Sequence, residues 1–339
     1  MNHQHARPGR PGRRQVLRGA AAAAGTASLW SLTGRPARAD QAGADRVHPD
    51  QAAAVPGGLV AARQLGRFEV LALLDAHGPF PGTRQAAFPT AGAAHWRRAR
   101  ELDPAAFGPG ETWELDFRCY AVRGPGGRVT LVDTGVGPAG SPASGWAPVP
   151  GRLPKVLAAA GIAPGDVTTV VLTHLHEDHY GWSVLPDGTP VFPNARYLVQ
   201  RAEVAALAET RTAMTYVVAP LRRAGLLREV DGRLRLPGPG PACDVLTLLP
   251  TPGHTPGHQS LLVEGGGHRL VVTGDVLVHA VQLADPAVAY AYELDPELAR
   301  RSREELLAEA RRTRAVLATA HLNQPFVRLP GPPPGQGRG

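Results

Sequence analysis

The short segment from Thr173 to His179 constrains the fold of this chain more than any other. It reads Thr-His-Leu-His-Glu-Asp-His and follows directly on a β-branched, apolar run, Val167–Leu172. Three imidazoles and two carboxylates in one turn leave many polar atoms to satisfy, which a purely structural role does not explain. Zinc and related divalent metals prefer imidazole and carboxylate ligands. The segment therefore predicts a metal-binding turn at the end of a buried strand.

The spacing within this turn indicates two ions. Alternate residues of an extended segment point the same way, so His174 and His176 can bind one ion while Asp178 and His179 turn toward another. Glu177 is interpreted as a solvent-facing loop residue, with a general acid or base role as the lesser alternative.

Further ligand-type residues stand just after three later runs that predict strands. They are His254 after Val245–Leu249, Asp275 after Arg269–Thr273, and His321 after Ala315–Thr319. Each alone is weak evidence, because a lone histidine after a strand is usually a polar loop residue. Together with the first segment they indicate that four strand ends deliver ligands suited to the same metals.

The remaining pattern predicts a mixture of helices and strands. A Gly-Pro-Gly-Gly turn at 124–127 between apolar runs predicts a hairpin. Asp295, followed by Pro296, predicts the start of a helix that turns Leu298, Leu306, Leu307 and Ala310 inward. The other predicted strands are Phe68–Leu74, Glu114–Val122, Arg128–Val132 and Ser260–Val263, and the other predicted helices are Leu153–Ala160 and Ala202–Ala208.

In chain order, Asp133-x-Gly135, His174-x-His176-x-Asp178-His179, His254, Asp275 and His321 resemble the five motifs of the metallo-β-lactamase superfamily. The resemblance implies an α/β (α+β) fold, a four-layered αβ/βα sandwich with the metals at one edge of its two sheets. It implies that His174, His176 and His254 bind the first metal, that Asp178, His179 and His321 bind the second, and that Asp275 bridges both. Asp133 is expected to steady the histidine loop and His258 the His254 turn, neither as a ligand.

The resemblance also implies a chemistry. Two divalent ions, zinc by default, with manganese, cobalt or iron also compatible, share a bridging hydroxide that attacks a carbonyl or phosphoryl centre. Asp275 and Asp178 are the expected catalytic carboxylates, and Asp178 is expected to move a proton. The chain is accordingly expected to be a metal-dependent hydrolase of a small-molecule substrate.

Within the superfamily, Asp275 argues against the zinc β-lactamases, which commonly lack that carboxylate. Thr251–Ser260 resembles the lactonase branch, and Gly274–Gln282 resembles exported phosphotriesterases of the methyl parathion type. Small esters, lactones or phosphotriesters are the expected substrates. Known lactonases carry a tyrosine where this chain has Val278, which leaves Tyr180 and His279 as candidate helpers.

Two alternatives stay open: a thioesterase of the glyoxalase II type, and a non-enzymatic metal- or ligand-binding protein on the same fold. A nucleic-acid-processing role is disfavoured by the distribution of charge. Seven of the 36 basic residues and no acidic one lie before Asp40, which leaves 29 basic residues against 29 acidic ones. The net charge of +7 therefore belongs to the N-terminal segment.

That segment resembles a twin-arginine export signal. Arg13 and Arg14 precede a small-residue apolar run, and Ala37-Arg38-Ala39 fits a cleavage site. The predicted organisation is a signal peptide at 1–39, a linker or N-terminal arm at 40–65, a hydrolase domain at 66–327 and a disordered Pro/Gly tail at 328–339. The product would be periplasmic or extracellular, without a stable membrane span. In an oxidising compartment Cys119 and Cys243 would either pair or stay as two thiols. The oligomeric state is not predicted.

Overall fold

In the described part of the chain, two β-sheets are stacked face to face and helices cover their outer faces. A computed structural model describes residues 53–54, 58–207, 211–236 and 244–330. The predicted export signal, the end of the C-terminal tail from residue 331 and Cys243 lie outside the described residues.

The first sheet has eight strands in chain order, β1 to β8, antiparallel up to β5 and parallel from β5 to β8. The second has six, in the order β14-β13-β12-β11-β10-β9, and only its β12–β13 pair is parallel among the described residues. The strands are β1 (Ala53–Ala54), β2 (Val60–Leu65), β3 (Phe68–Thr83), β4 (Thr112–Arg123), β5 (Val129–Val132), β6 (Val167–Val171), β7 (Arg196–Gln200), β8 (Leu227–Val230), β9 (Leu234–Arg235), β10 (Val245–Pro250), β11 (Gln259–Gly265), β12 (His268–Val272), β13 (Val316–Ala318) and β14 (Phe326–Arg328).

The helices connect these strands and are mostly short. They are α1 (Arg84–Ala87), α2 (Ala93–Leu102), α3 (Leu153–Ala159), α4 (Glu177–Tyr180), α5 (Arg201–Ala206), α6 (Arg211–Ala213), which continues through a π-helical turn (Met214–Val218) into α7 (Ala219–Arg223), α8 (Val281–Ala284) and α9 (Pro296–Thr313). In the described part of the chain, none of them is both long and apolar enough to cross a membrane.

The alternation of side chains along the strands builds two kinds of core. On β3, Val70 and Ala72 face the second sheet, whereas Leu71 and Leu73 face the helices. Helices α3, α5 and α7 pack on the outer face of the first sheet. Leu306, Leu307 and Ala310 of α9 pack on the outer face of the second sheet. The resulting layers, helix, sheet, sheet and helix, confirm the predicted αβ/βα sandwich.

Most predicted elements are present with shifted ends. The 124–127 turn joins β4 to β5 as an antiparallel hairpin, and Asp295 accepts a hydrogen bond from the Leu298 amide at 3.0 Å at the start of α9. Within the linker or N-terminal arm predicted at 40–65, Val60–Leu65 is a strand paired with β3. Gly66, with φ +55°, makes the tight turn between them. Small alanines in the middle of β2 conceal the strand pattern.

Candidate metal centre

Every predicted ligand lies in a loop that directly follows a strand. The histidine turn follows β6 and includes α4, and the other ligands follow β10, β12 and β13 of the second sheet. All are buried except His176, which is half-buried. The fold brings them into two clusters of potential metal ligands: His174, His176, His254 and Asp275, and Asp178, His179 and His321.

In the first cluster three imidazoles converge. His176 Nδ1 lies 3.0 Å from both His174 Nε2 and His254 Nε2. Burial holds the pKa of His174 and of His254 well below the usual value, so their rings are neutral and offer lone pairs. Three imidazole nitrogens so close together, beside the carboxylate of Asp275, form a donor set that suits a divalent metal.

Asp275 spans the two clusters with its two oxygens. Its Oδ2 lies 3.3 Å from His254 Nε2 and 3.8 Å from His174 Nε2. Its Oδ1 lies 3.3 Å from His179 Nε2 and 3.2 Å from His321 Nε2. One carboxylate thus faces both ligand sets. Asp178 completes the second set, with Oδ2 at 3.4 Å from each of the same two imidazole nitrogens.

Hydrogen bonds on the far side of two rings indicate which nitrogen faces the cluster. His179 Nδ1 lies 2.8 Å from Asp133 Oδ2, and His321 Nδ1 lies 2.9 Å from the Asp116 carbonyl oxygen. Each Nδ1 donates to its acceptor, and the Nε2 of each ring faces Asp275. Within the described chain, His179 Nε2 and Asp275 Oδ1 have no hydrogen-bond partner.

Lone pairs and carboxylate oxygens that face each other in a buried site require a positive charge between them. The pKa values point the same way. Burial alone would lower the pKa of His179 and of His321. The neighbouring carboxylates, Asp275 foremost, outweigh burial and raise both pKa values. Burial alone would raise the pKa of Asp275, but those two histidines hold it well below its usual range. The clusters fit a dinuclear metal site.

A family profile described as "Metallo-beta-lactamase superfamily" matches residues 118–321, more than half of the chain. The chain belongs to the metallo-β-lactamase superfamily. An N-acyl homoserine lactonase of Bacillus thuringiensis is 29% identical over 230 residues, 64% of this chain and 85% of that protein. A lactonase of the same description from Bacillus sp is 34% identical over 169 residues, 46% of this chain and 61% of that protein.

A solved structure described as AidC, a dizinc quorum-quenching lactonase in complex with a product, has the same fold. Its TM-score is 0.62, with 21% identity over 80% of this chain and 97% of that one. The family profile, the lactonase relatives and the two ligand clusters together identify a metal-dependent hydrolase of the metallo-β-lactamase superfamily.

Two residues outside the clusters, Asp133 and His258, form hydrogen bonds to the loops that carry the candidate ligands. Asp133 has φ +58°, a strained conformation for a non-glycine residue. Its carboxylate accepts hydrogen bonds from the Thr173 amide and hydroxyl at 2.7 and 2.8 Å, besides that of His179. His258 accepts the Asp275 amide at 2.9 Å through Nε2. Gly274, which precedes Asp275 and packs against His258, has φ +53°. It has no room for a side chain, since a Cβ would lie 2.6 Å from His258 Nε2.

Glu203, which is not among the residues predicted from the sequence, connects two of the loops that carry candidate ligands. This buried residue of α5 accepts the Leu175 amide through Oε1 and the Gly257 amide through Oε2, both at 2.9 Å. It therefore fixes the turn of His174 and His176 against the turn of His254. A lone glutamate in a short helix carries no sequence signal for this role.

Tyr290, which is not among the residues predicted from the sequence either, is in ring contact with the predicted ligand His254. Its ring stacks on His254 with centroids 6.0 Å apart. It belongs to an aromatic wall that we define as Phe80, Trp146, Tyr290 and Tyr292, with Phe80 in ring contact with the other three. Tyr292 is exposed. The cluster is therefore bordered by a broad apolar surface that reaches solvent.

The two helpers considered from the sequence lie elsewhere. Tyr180 is fully buried in the core of the first sheet, with its ring beside Tyr216. His279 sits among Phe88, Trp96, Phe107 and Trp113, at centroid distances of 5.2 to 5.6 Å. Burial lowers the pKa of His279 to about 3, so it is a neutral core ring. Glu177 lies outside both ligand clusters.

Proposed function

We propose that this hydrolase opens lactone rings and that N-acyl homoserine lactones are its preferred substrates. The observation that carries the proposal is the position of Asp275 between two ligand sets, beside an aromatic wall that ends at the exposed Tyr292. A compact ester group fits the polar cluster and an acyl chain fits the wall. The lactonase relatives support this substrate class.

The chain's own residues position the reacting groups. Divalent ions bound at the two ligand sets would lower the pKa of a water molecule toward neutrality. They would also act as Lewis acids that polarise the substrate carbonyl. Asp275 holds the two sets at a fixed separation. Asp178 turns Oδ2 toward His179 and His321, which leaves Oδ1 to accept a proton from the attacking water and return it to the leaving alkoxide. The aromatic wall offers the acyl chain an apolar surface.

Zinc is the metal we propose. A set of five imidazoles and two carboxylates suits zinc, and also accepts manganese, cobalt or iron. The description of AidC as dizinc supports the choice. We also propose export by the twin-arginine route with cleavage near Asp40, on the strength of Arg13, Arg14 and Ala37-Arg38-Ala39. An intact Met1 on the exported protein would contradict that cleavage.

A hydrolysis panel on the zinc-loaded protein tests the substrate class. The substrates are N-hexanoyl homoserine lactone, 4-nitrophenyl acetate, paraoxon, nitrocefin and S-lactoylglutathione. We expect kcat/KM for the lactone to exceed that for nitrocefin by at least about a hundredfold, because the wall contributes binding energy only to an acyl chain. A His254→Ala variant should lose the activity.

The other outcomes separate the alternatives. Preference for paraoxon would make the protein a phosphotriesterase, and preference for the thioester would favour the glyoxalase II-type alternative. Absence of turnover across the panel at full zinc loading would favour a binding protein. Each of these would overturn the lactonase proposal.

A further inference from the structure

A cleft lies between the two sheets, away from the metal centre. Its volume is about 490 Å³, within the roughly 300–1,000 Å³ usual for small-molecule sites. The first sheet contributes Thr130, Thr169, Arg196, Leu198 and Arg228, and the second contributes Leu234 and Leu246. The mechanism proposed above uses none of these residues.

Strand register shows how far this cleft is from the metal centre. Thr130 of β5 pairs with Thr169 of β6, which pairs with Arg196 of β7, so these side chains form one row across the sheet. The row precedes Asp133 by three residues and His174 by five. At roughly 3.3 Å per strand residue, the cleft is on the order of 10 to 16 Å from the ligand loops.

The rim of the cleft carries an excess of positive charge. Four arginines line it: Arg128, Arg196, Arg228 and Arg235. Arg235 has a partner, whereas the other three have no side-chain hydrogen bond or ion pair with any residue in the described ranges. Asp244 is the one carboxylate among the described lining residues, and its Oδ1 accepts the Gly266 amide at 3.2 Å. Glu229, next to Arg228 in sequence, instead pairs with Arg201 and Arg222.

This excess is local. The chain after residue 39 carries 29 basic against 29 acidic side chains, so three arginines without a partner among the described residues do not follow from a generally basic surface. Guanidinium groups bind carboxylates through two parallel hydrogen bonds. Three of them at one opening therefore favour an anionic group.

The inner part of the cleft is apolar. Phe68, Val122 and Leu198 from the first sheet face Leu234, Leu236 and Leu246 from the second. These side chains continue the core between the sheets. An apolar slot with a cationic rim is complementary to a molecule that has a hydrocarbon chain and one anionic end.

We propose that this cleft binds a single-chain amphipathic carboxylate of the fatty-acid type. Its chain enters between the sheets, and its carboxylate is bound by Arg196 and Arg228, with Arg128 at the rim. The site is separate from the metal centre, and its occupancy does not depend on which substrate that centre hydrolyses.

Calorimetric titration of the zinc-loaded full chain tests this, with sodium dodecanoate below its micellar concentration as the probe. We expect saturable 1:1 binding, weakened at least about tenfold in the double variant Arg196→Gln/Arg228→Gln. The matched control is Arg97→Gln/Arg223→Gln, which removes two exposed arginines outside the cleft and should bind as the wild type does. Thr169→Trp, which fills the cleft without removing charge, should also weaken binding.

Three results would overturn the proposal. One is the absence of dodecanoate binding. Another is equal binding of dodecyltrimethylammonium, which has the same chain and the opposite charge. The third is binding that the arginine double variant keeps and that zinc chelation abolishes, because that would place the carboxylate at the metal centre.

Discussion

Asp275 is the residue on which the geometry of the centre depends most. Each of its oxygens faces a different ligand set at 3.2 to 3.8 Å, and its backbone amide is fixed by His258. Without it the first set retains three imidazoles, whereas the second retains two imidazoles and the carboxylate of Asp178. Loss of this carboxylate should therefore weaken binding of the second ion more than binding of the first.

For Asp275→Ala we expect a folded protein that binds about one zinc per chain instead of two. Its kcat should fall on the order of a hundredfold or more, the scale of a lost metal or electrostatic contribution. Elemental analysis and initial rates at matched zinc loading measure both effects. Glu177→Ala, which removes a carboxylate of the histidine turn that lies outside both clusters, should stay within a few-fold of wild type. Turnover of Asp275→Ala at the wild-type rate would exclude the bridging position.

Glu203 allows a graded test of how the ligand loops are positioned. Its two oxygens accept one amide from each of two loops, and leaving a buried amide without a partner costs about 1–3 kcal/mol. Glu203→Ala should lower both the unfolding midpoint and the zinc affinity of the first set. Glu203→Gln keeps one acceptor and should fall between Ala and wild type. Competition with a chromogenic chelator measures the zinc affinity.

If Glu203 served stability alone, both variants would lower the unfolding midpoint and leave the zinc affinity unchanged. That result would contradict its role in positioning the ligand loops.

At the scale of elements, the strands with strong local patterns could be predicted from the sequence, and several others could not. Val167–Val171 is β-branched, and the 124–127 turn is rich in glycine. By contrast, β7 is buried at four of its five positions, so it shows no alternation, and α2 has Ala99 as its one buried residue. Both elements are defined by contacts distant in sequence rather than by their own pattern.

Helix α9 shows how an element supports the centre. Asp295 caps its first turn through the Leu298 amide, and its start is held to the His254 turn, since the Leu294 amide donates to the His254 carbonyl at 3.1 Å. Asp295→Ala should destabilise the zinc-loaded protein by about 1 kcal/mol. Urea denaturation measures the change. Glu305→Ala, an exposed carboxylate in the middle of the same helix, should change stability by less than about 0.5 kcal/mol. Equal effects of the two variants would refute the cap.

At the scale of the whole molecule, the candidate ligands could be selected from the sequence because each stands at the end of a strand in a recognisable motif. Glu203 and Tyr290 could not, since only folding brings them to the ligands. The first sheet supplies the histidine turn after β6, and the second supplies His254, Asp275 and His321. Bound metal would therefore join loops from both sheets.

This joining predicts that the stability of the whole sandwich depends on metal. A ligand that binds only the folded state at a hundred times its Kd stabilises that state by about 2.7 kcal/mol. At roughly 2–4 °C per kcal/mol for a domain of about this size, removing zinc with a chelator should lower Tm on the order of 5 °C or more. Adding zinc should restore it. Asp275→Ala should show a smaller zinc-dependent shift, because the second set loses its shared carboxylate. An identical Tm with chelator and with zinc would mean that metal does not hold the two sheets together, and the centre would then be a site on a fold that is complete without it.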